Sequence, residues 1–412
     1  MKRILLIFIN LLFFILLINA QTVSQFRGNA RDGKFEETHL LASWPVSGPR
    51  LMWEFNSVGN GFGSPVITRD AIYINGEIDS TGYLFALDKK GKLLWKSDYG
   101  KEWMKTFPGS RSTPTIVADL IYVTSGLGNM TCFSLENGKK KWSVNKVNDL
   151  NGRHTLHGHA ESPLVYDDKV ILVPGGQDTN VVALNRFTGK IAWICSGAGD
   201  LPGYNSPILI QLPARKLVVT FTSYHMLGID ANTGKLLWSH EQVNTPLVER
   251  KPGYGDTHSN SAFYENGFIY YVAGDGNGAV KLKLSNDGSK IEQVWRNPDI
   301  DDYMGGFMKI GEKIYTGSDA KKSLLSLDAK TGQVSDSLKI GCGAILLANN
   351  LLYYYNQKGD MNLVKPGEKL EKISSFKVTA GTKEHFSIPV IADGVLYIRH
   401  GKSLLAYAIR QE

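Results

Sequence analysis

Ala86-Leu87-Asp88-Lys89-Lys90-Gly91-Lys92-Leu93-Leu94-Trp95 returns as Gly228-Ile229-Asp230 running to Gly234-Lys235-Leu236-Leu237-Trp238. Two looser copies lie between them, Leu135-Glu136-Asn137-Gly138-Lys139-Lys140-Lys141-Trp142 and Ala183-Leu184-Asn185 running to Gly189-Lys190-Ile191-Ala192-Trp193. In all four, Trp follows Gly by four residues. The phrase reads as a hairpin: an apolar strand ends at Asp or its equivalent, a Gly-containing turn supplies positive φ, and an alternating strand leads to Trp. A lone hairpin is marginal in water, so a copied one implies a copied larger unit.

Upstream of each phrase two further elements recur. The first is a Ser/Thr-Pro opening at Ser64-Pro65, Thr113-Pro114, Ser162-Pro163 and Ser206-Pro207, and the second is a β-branched or aromatic run such as Ile72-Tyr73-Ile74 or Ile121-Tyr122-Val123. Four short strands in a repeat of roughly 40–50 residues is the period of a propeller blade. Weaker copies follow around Ile269-Tyr270-Tyr271, Ile314-Tyr315, Leu352-Tyr353-Tyr354 and Leu396-Tyr397-Ile398, which brings the count to eight. The sixth copy has Asp336 where Trp would stand, and the eighth ends after Leu404-Leu405-Ala406-Tyr407 without a last strand. Residues 50–55 form an orphan strand containing Trp53, so the sequence predicts an all-β, eight-bladed propeller closed by pairing 50–55 with 403–409. Trp53, Trp95, Trp142, Trp193, Trp238 and Trp295 are read as packing between blades.

Composition fits one large domain over residues 21–412. The 43 glycines are dispersed through turns, and neither a linker nor a heptad pattern interrupts the repeat. Residues 1–20 read as a signal peptide: Met1-Lys2-Arg3 is basic, 4–18 are almost wholly apolar, and Ala20 precedes the expected cut. The first cysteine is Cys132, so no lipidation site follows the apolar stretch; a periplasmic or secreted protein without a membrane span in its mature chain is expected, and a monomer. Cys132, Cys195 and Cys342 are far apart and read as small buried residues, with one disulfide left open as an alternative. The formal charge of +7 includes Lys2 and Arg3, and much of the rest sits on hairpin turns such as Lys89-Lys90-Gly91-Lys92, which argues against a nucleic-acid partner.

The Ala-Leu-Asp-x-x-Gly-Lys-x-x-Trp phrase resembles the repeat of pyrroloquinoline-quinone (PQQ) type β-propellers over roughly residues 45–409. Gly48-Pro49-Arg50-Leu51-Met52-Trp53, Glu161-Ser162-Pro163 and Pro174-Gly175-Gly176 are further similar to secreted bacterial PQQ-binding-like and BamB-like propellers. The resemblance implies either a quinoprotein dehydrogenase of alcohols or sugars carrying PQQ with Ca²⁺, or a non-enzymatic propeller. The alcohol-type enzymes have adjacent cysteines and a Glu/Asn/Asp calcium set, and neither maps onto this chain; Asp275-Gly276-Asn277-Gly278 reads as turn chemistry.

Function is therefore expected in the loops that enter each innermost strand, because these converge at one mouth of the channel. They carry Arg111, His157, His159, Glu161, Asn205, Asp256, His258 and His385 as candidate ligand-binding residues, together with His154, Tyr204 and Glu384. His157, His159 and His258 are the candidate metal ligands, although no metal is assigned. The leading expectation is a non-enzymatic binding or assembly module for a protein or small ligand, with a quinoprotein dehydrogenase as the alternative.

Overall fold

The computed structural model describes residues 22–242, 245–251 and 253–411; the expected signal peptide at 1–20 lies outside the described residues. Eight sheets of the repeated hairpin-plus-hairpin unit are arranged as blades. Blade one comprises Val66–Ile67, Ala71–Ile78, Thr81–Asp88 and Leu93–Lys101, and the same up-and-down order recurs through blade seven, which ends at Glu371–Lys377. Blade eight contains Val390–Ala392, Val395–His400 and Ser403–Ala408, and its outermost strand is Arg50–Phe55. The two are antiparallel, with Arg50 opposite Ala408 and Phe55 opposite Leu404, so the expected closure is present and no blade edge is left open for the ends of the chain.

The outermost strand of every blade carries a β-bulge near its start, with a second irregularity in blade one, and in six blades the residue just after the first bulge is the repeated Trp. That ring reaches into the next blade. Trp53, Trp142, Trp193, Trp238 and Trp295 donate their indole N–H to Lys89, Arg186, Ala231, Gly288 and Ala329 carbonyls, each in the following blade's phrase turn, at 3.0–3.2 Å. Trp95 instead lies over Gly138, while Ser97 Oγ donates to the Gly138 carbonyl at 2.7 Å. The bulge also locates the two blades without a Trp. In blade six Asp336 takes its place, and its carboxylate accepts from Leu370 N at 2.6 Å. In blade seven the position is Ser374, whose hydroxyl accepts from Trp44 N at 2.8 Å; the Trp44 ring packs edge-on against Tyr353 and Phe376.

The Ser/Thr-Pro openings form a second, inner belt. Ser64 N donates to Thr113 Oγ1, Thr113 N to Ser162 Oγ and Ser162 N to Ser206 Oγ at 2.9–3.0 Å. Ser261 Oγ extends the belt to the Ser206 carbonyl, and Ser64 Oγ joins it to Ile388 O. Each hydroxyl satisfies a backbone group that the start of a strand would leave unpaired.

A feature with no counterpart in the repeat is the arm of residues 22–35. Val23 bridges Ile67 in blade one, Ser24 O accepts from Ile116 N in blade two, and Lys34–Phe35 pairs in parallel with the innermost strand of blade seven. Between these anchors, Arg31 donates to Ser162 and Pro163 carbonyls in blade three, while Arg27 donates to Gly305 and Phe307 in blade six and to Ile345 in blade seven. The arm thus crosses the channel and closes it. All three cysteines are buried and unpaired. Among the described residues, no helix is long and apolar enough to cross a membrane.

Candidate functional site

With the arm as its floor, the mouth end of the channel becomes a cup of about 510 Å³. Its walls are aromatic: Phe62, Phe107, Phe386, Tyr204 and Tyr303 line it, and Phe386 packs against both Phe62 and Phe107 at 5.7–5.8 Å. The floor adds Phe26 and Arg27. Such a volume lies inside the range of about 300–1,000 Å³ typical of small-molecule sites.

Arg111 and His157, with Tyr204 beside them, are the predicted mouth residues that line the cup. Arg111 braces the loops around it, donating to the carbonyls of Thr106, Phe107, Gly109 and His157. Burial lowers its pKa to about 10, opposed by the negative charge of Glu102 and by Tyr204. His157 Nδ1 lies 3.1 Å from Thr106 Oγ1, and its ring packs against Phe107 and Tyr204. Burial, and then the Arg111 charge, pull its pKa down, so it is a neutral imidazole at neutral pH.

The other predicted residues stand behind the wall. His159 is buried edge-on to His154, and Glu161 contacts Lys146. Asn205 Oδ1 accepts from Phe221 N at 3.2 Å, and Asp256 Oδ2 accepts from Gly253 N at 2.9 Å, which fixes the 253–258 turn. His258 stacks on Phe221 at 5.0 Å with Nε2 3.0 Å from the Ser223 carbonyl; burial depresses its pKa to about 4. His385 stacks on His400 at 3.7 Å beside the Tyr355 hydroxyl, while its neighbour Phe386 is the residue that faces the cup. His157, His159 and His258 therefore have separate surroundings rather than one shared centre. The group of His, Cys, Asp and Glu atoms that does converge among the described residues is Asp302, Asp319 and Cys342, between blades six and seven.

Sequence reading passed over Phe26, Arg27, Phe62, Tyr303 and Phe386. Phe386 was within one residue of a chosen His, but nothing in the repeat signals the arm. Asp275, set aside as a turn residue, has φ of 55° and lines the cup, where it accepts from Thr257 N at 3.1 Å.

The lining discriminates between the parts of a calcium–quinone centre. Ca²⁺ takes about 6–8 oxygen ligands, normally with several carboxylates. Asp275 is the one carboxylate among the lining residues, and none of the three cysteines lines the cup. The metal does not fit this donor set. Arg27 and Arg111 bring positive charge to the aromatic chamber beside the Asp275 carboxylate, and neither arginine forms an ion pair among the described residues.

Eight blades closed by the Arg50–Phe55 strand make the chain a closed β-propeller. The chain belongs to the PQQ-like β-propeller family: the family model described as outer membrane protein assembly factor BamB matches residues 37–146 and 80–337. It is similar to the quinoprotein ethanol dehydrogenase of Pseudomonas aeruginosa, 24% identical over 211 residues, which is 51% of this chain and 26% of that protein. An uncharacterized protein of Rickettsia conorii is 22% identical over 306 residues, covering 65% of this chain and 69% of the relative. The chain thus spans about a quarter of the first curated relative's length. Two solved structures share the fold: BamB from Moraxella catarrhalis (TM-score 0.61, 10% identity, 88% of this chain and all of that one) and a europium-containing methanol dehydrogenase (TM-score 0.67, 12% identity, 93% and 90%).

Proposed function

We propose that this propeller is an extracytoplasmic, non-enzymatic binding module that takes a small, flat, anionic molecule into its axial cup. The observation that carries the reading is the combination in one chamber of an aromatic wall with two arginines that form no ion pair among the described residues. Aromatic rings favour a planar guest, and two arginines against the single Asp275 carboxylate in a partly desolvated cavity favour an anion over a neutral isostere. The basic start and apolar stretch of residues 1–20 support the location outside the cytoplasm. PQQ is itself a flat polycarboxylic acid, so occupancy by the quinone and turnover by it are separate questions.

The test is fluorescence titration of the mature protein with 1-anilinonaphthalene-8-sulfonate, and with PQQ with and without Ca²⁺. Saturable one-to-one binding of a flat anion is expected, together with its loss in Ala160→Trp, which fills the cup from a lining position. Calcium-dependent dye reduction by an alcohol or sugar would establish the dehydrogenase reading in its place. Equal binding by Ala160→Trp would remove the cup from the account.

A further inference from the structure

Behind the cup, between blades two and three, lies a set of polar groups that the binding site does not use. Lys146 follows the outermost strand of blade two, Lys140–Asn145, and Glu161 precedes the innermost strand of blade three, Leu164–Tyr166. Their side chains are 0% and 1% exposed, and Lys146 Nζ meets Glu161 Oε1 directly. His159, also buried, flanks Gly128 together with Lys146. As an ion pair this arrangement is poorly satisfied: among the described residues Lys146 Nζ has no hydrogen bond beyond its contact with Glu161, Glu161 Oε1 accepts one long bond from Val173 N at 3.5 Å, and Glu161 Oε2 and both ring nitrogens of His159 have no hydrogen-bond partner. Paired charges removed from water need several further hydrogen bonds to offset their desolvation, and here the pair has the single long bond from Val173 N.

We propose that Lys146 and Glu161 are joined by an intramolecular amide bond that staples blade two to blade three. Burial pushes the lysine toward its neutral amine, the nucleophilic form. Nζ attacks Cδ of the protonated carboxyl, the Nζ–Cδ bond forms, and one Cδ–O bond breaks. The departing hydroxyl leaves as water, taking up the proton that the amine gives up as the Nζ–Cδ bond forms. Nothing is oxidised or reduced. The product replaces an ammonium and a carboxylate with one N–H and one C=O, which removes both buried charges. It also supplies a covalent tie in a chain whose cysteines are unpaired.

Tryptic mapping of the denatured, full-length mature protein reads the bond directly. The expected species joins peptides 142–153 and 154–169, lighter by one water than their sum and uncut after Lys146. Recovery of 142–146 and 154–169 as separate peptides of unmodified mass would overturn the proposal. Glu161→Ala should restore cleavage after Lys146, and because the wild-type map is decisive alone, the test stands even if that variant folds poorly.

Discussion

The glycine of each repeated phrase is constrained from two directions. Gly234 has φ of 76°, and a Cβ there would lie 2.8–2.9 Å from the Trp193 ring of the preceding blade. Gly and Trp therefore recur together because one repeat's ring sits on the next repeat's turn, and Gly234→Val should destabilise by about 1–3 kcal/mol in chemical denaturation. His258 makes a separate prediction. Its pKa falls from 6.5 to about 4 on folding, so below pH 6.5 the unfolded chain binds more protons and stability drops as pH falls. The loss is complete below pH 4 and amounts to about 3 kcal/mol. Denaturation midpoints measured at pH 7 and at pH 4.5 should differ less in His258→Gln than in wild type; an equal difference would contradict this assignment. At this scale, sequence reading located the mouth loops but not which way their side chains turn. His157 and Arg111 face the cup, whereas His159 and His258 stand behind its wall, against His154 and Phe221, contacts that the repeat pattern does not specify.

The blade is built so that its legible part and its functional part lie at opposite ends. Strands run up and down from the Ser/Thr-Pro opening at the mouth, so the turn between the third and fourth strands falls on the far face. The Gly-Lys-x-x-Trp phrase is on that face, away from the cup. Its strength made the fold readable and left the ligand unread. Blades six and seven show how a degenerate copy is repaired: Asp336 keeps an inter-blade hydrogen bond, and Trp44 arrives from outside the repeat to fill the place beside Ser374. Trp44 is buried and donates to the Met361 carbonyl at 3.2 Å. Trp44→Ala should accordingly lower stability by about 3–5 kcal/mol, as for a large ring removed from a core. A midpoint within error of wild type would show that the ring is not needed there.

For the whole molecule, residues 22–55 do three jobs that have no periodic signature: they cross the channel, supply Trp44 and complete blade eight. The last of these was legible, because an orphan strand at one terminus and a missing strand at the other imply each other. The arm was not, since Arg27 and Arg31 bind backbone carbonyls exposed at isolated points on blades three, six and seven. Deleting 21–56 should open the ring and remove its cooperative thermal transition, whereas a truncated chain melting like wild type would contradict closure. A crystal structure of the protein isolated from its own host would decide whether the plugged channel is a receptacle for a flat anion. The account predicts density for a planar molecule inside the cup, against the Phe62, Phe107 and Phe386 wall, with its acidic group toward Arg27 or Arg111. A cup holding only water, with a partner bound on a blade edge instead, would contradict it.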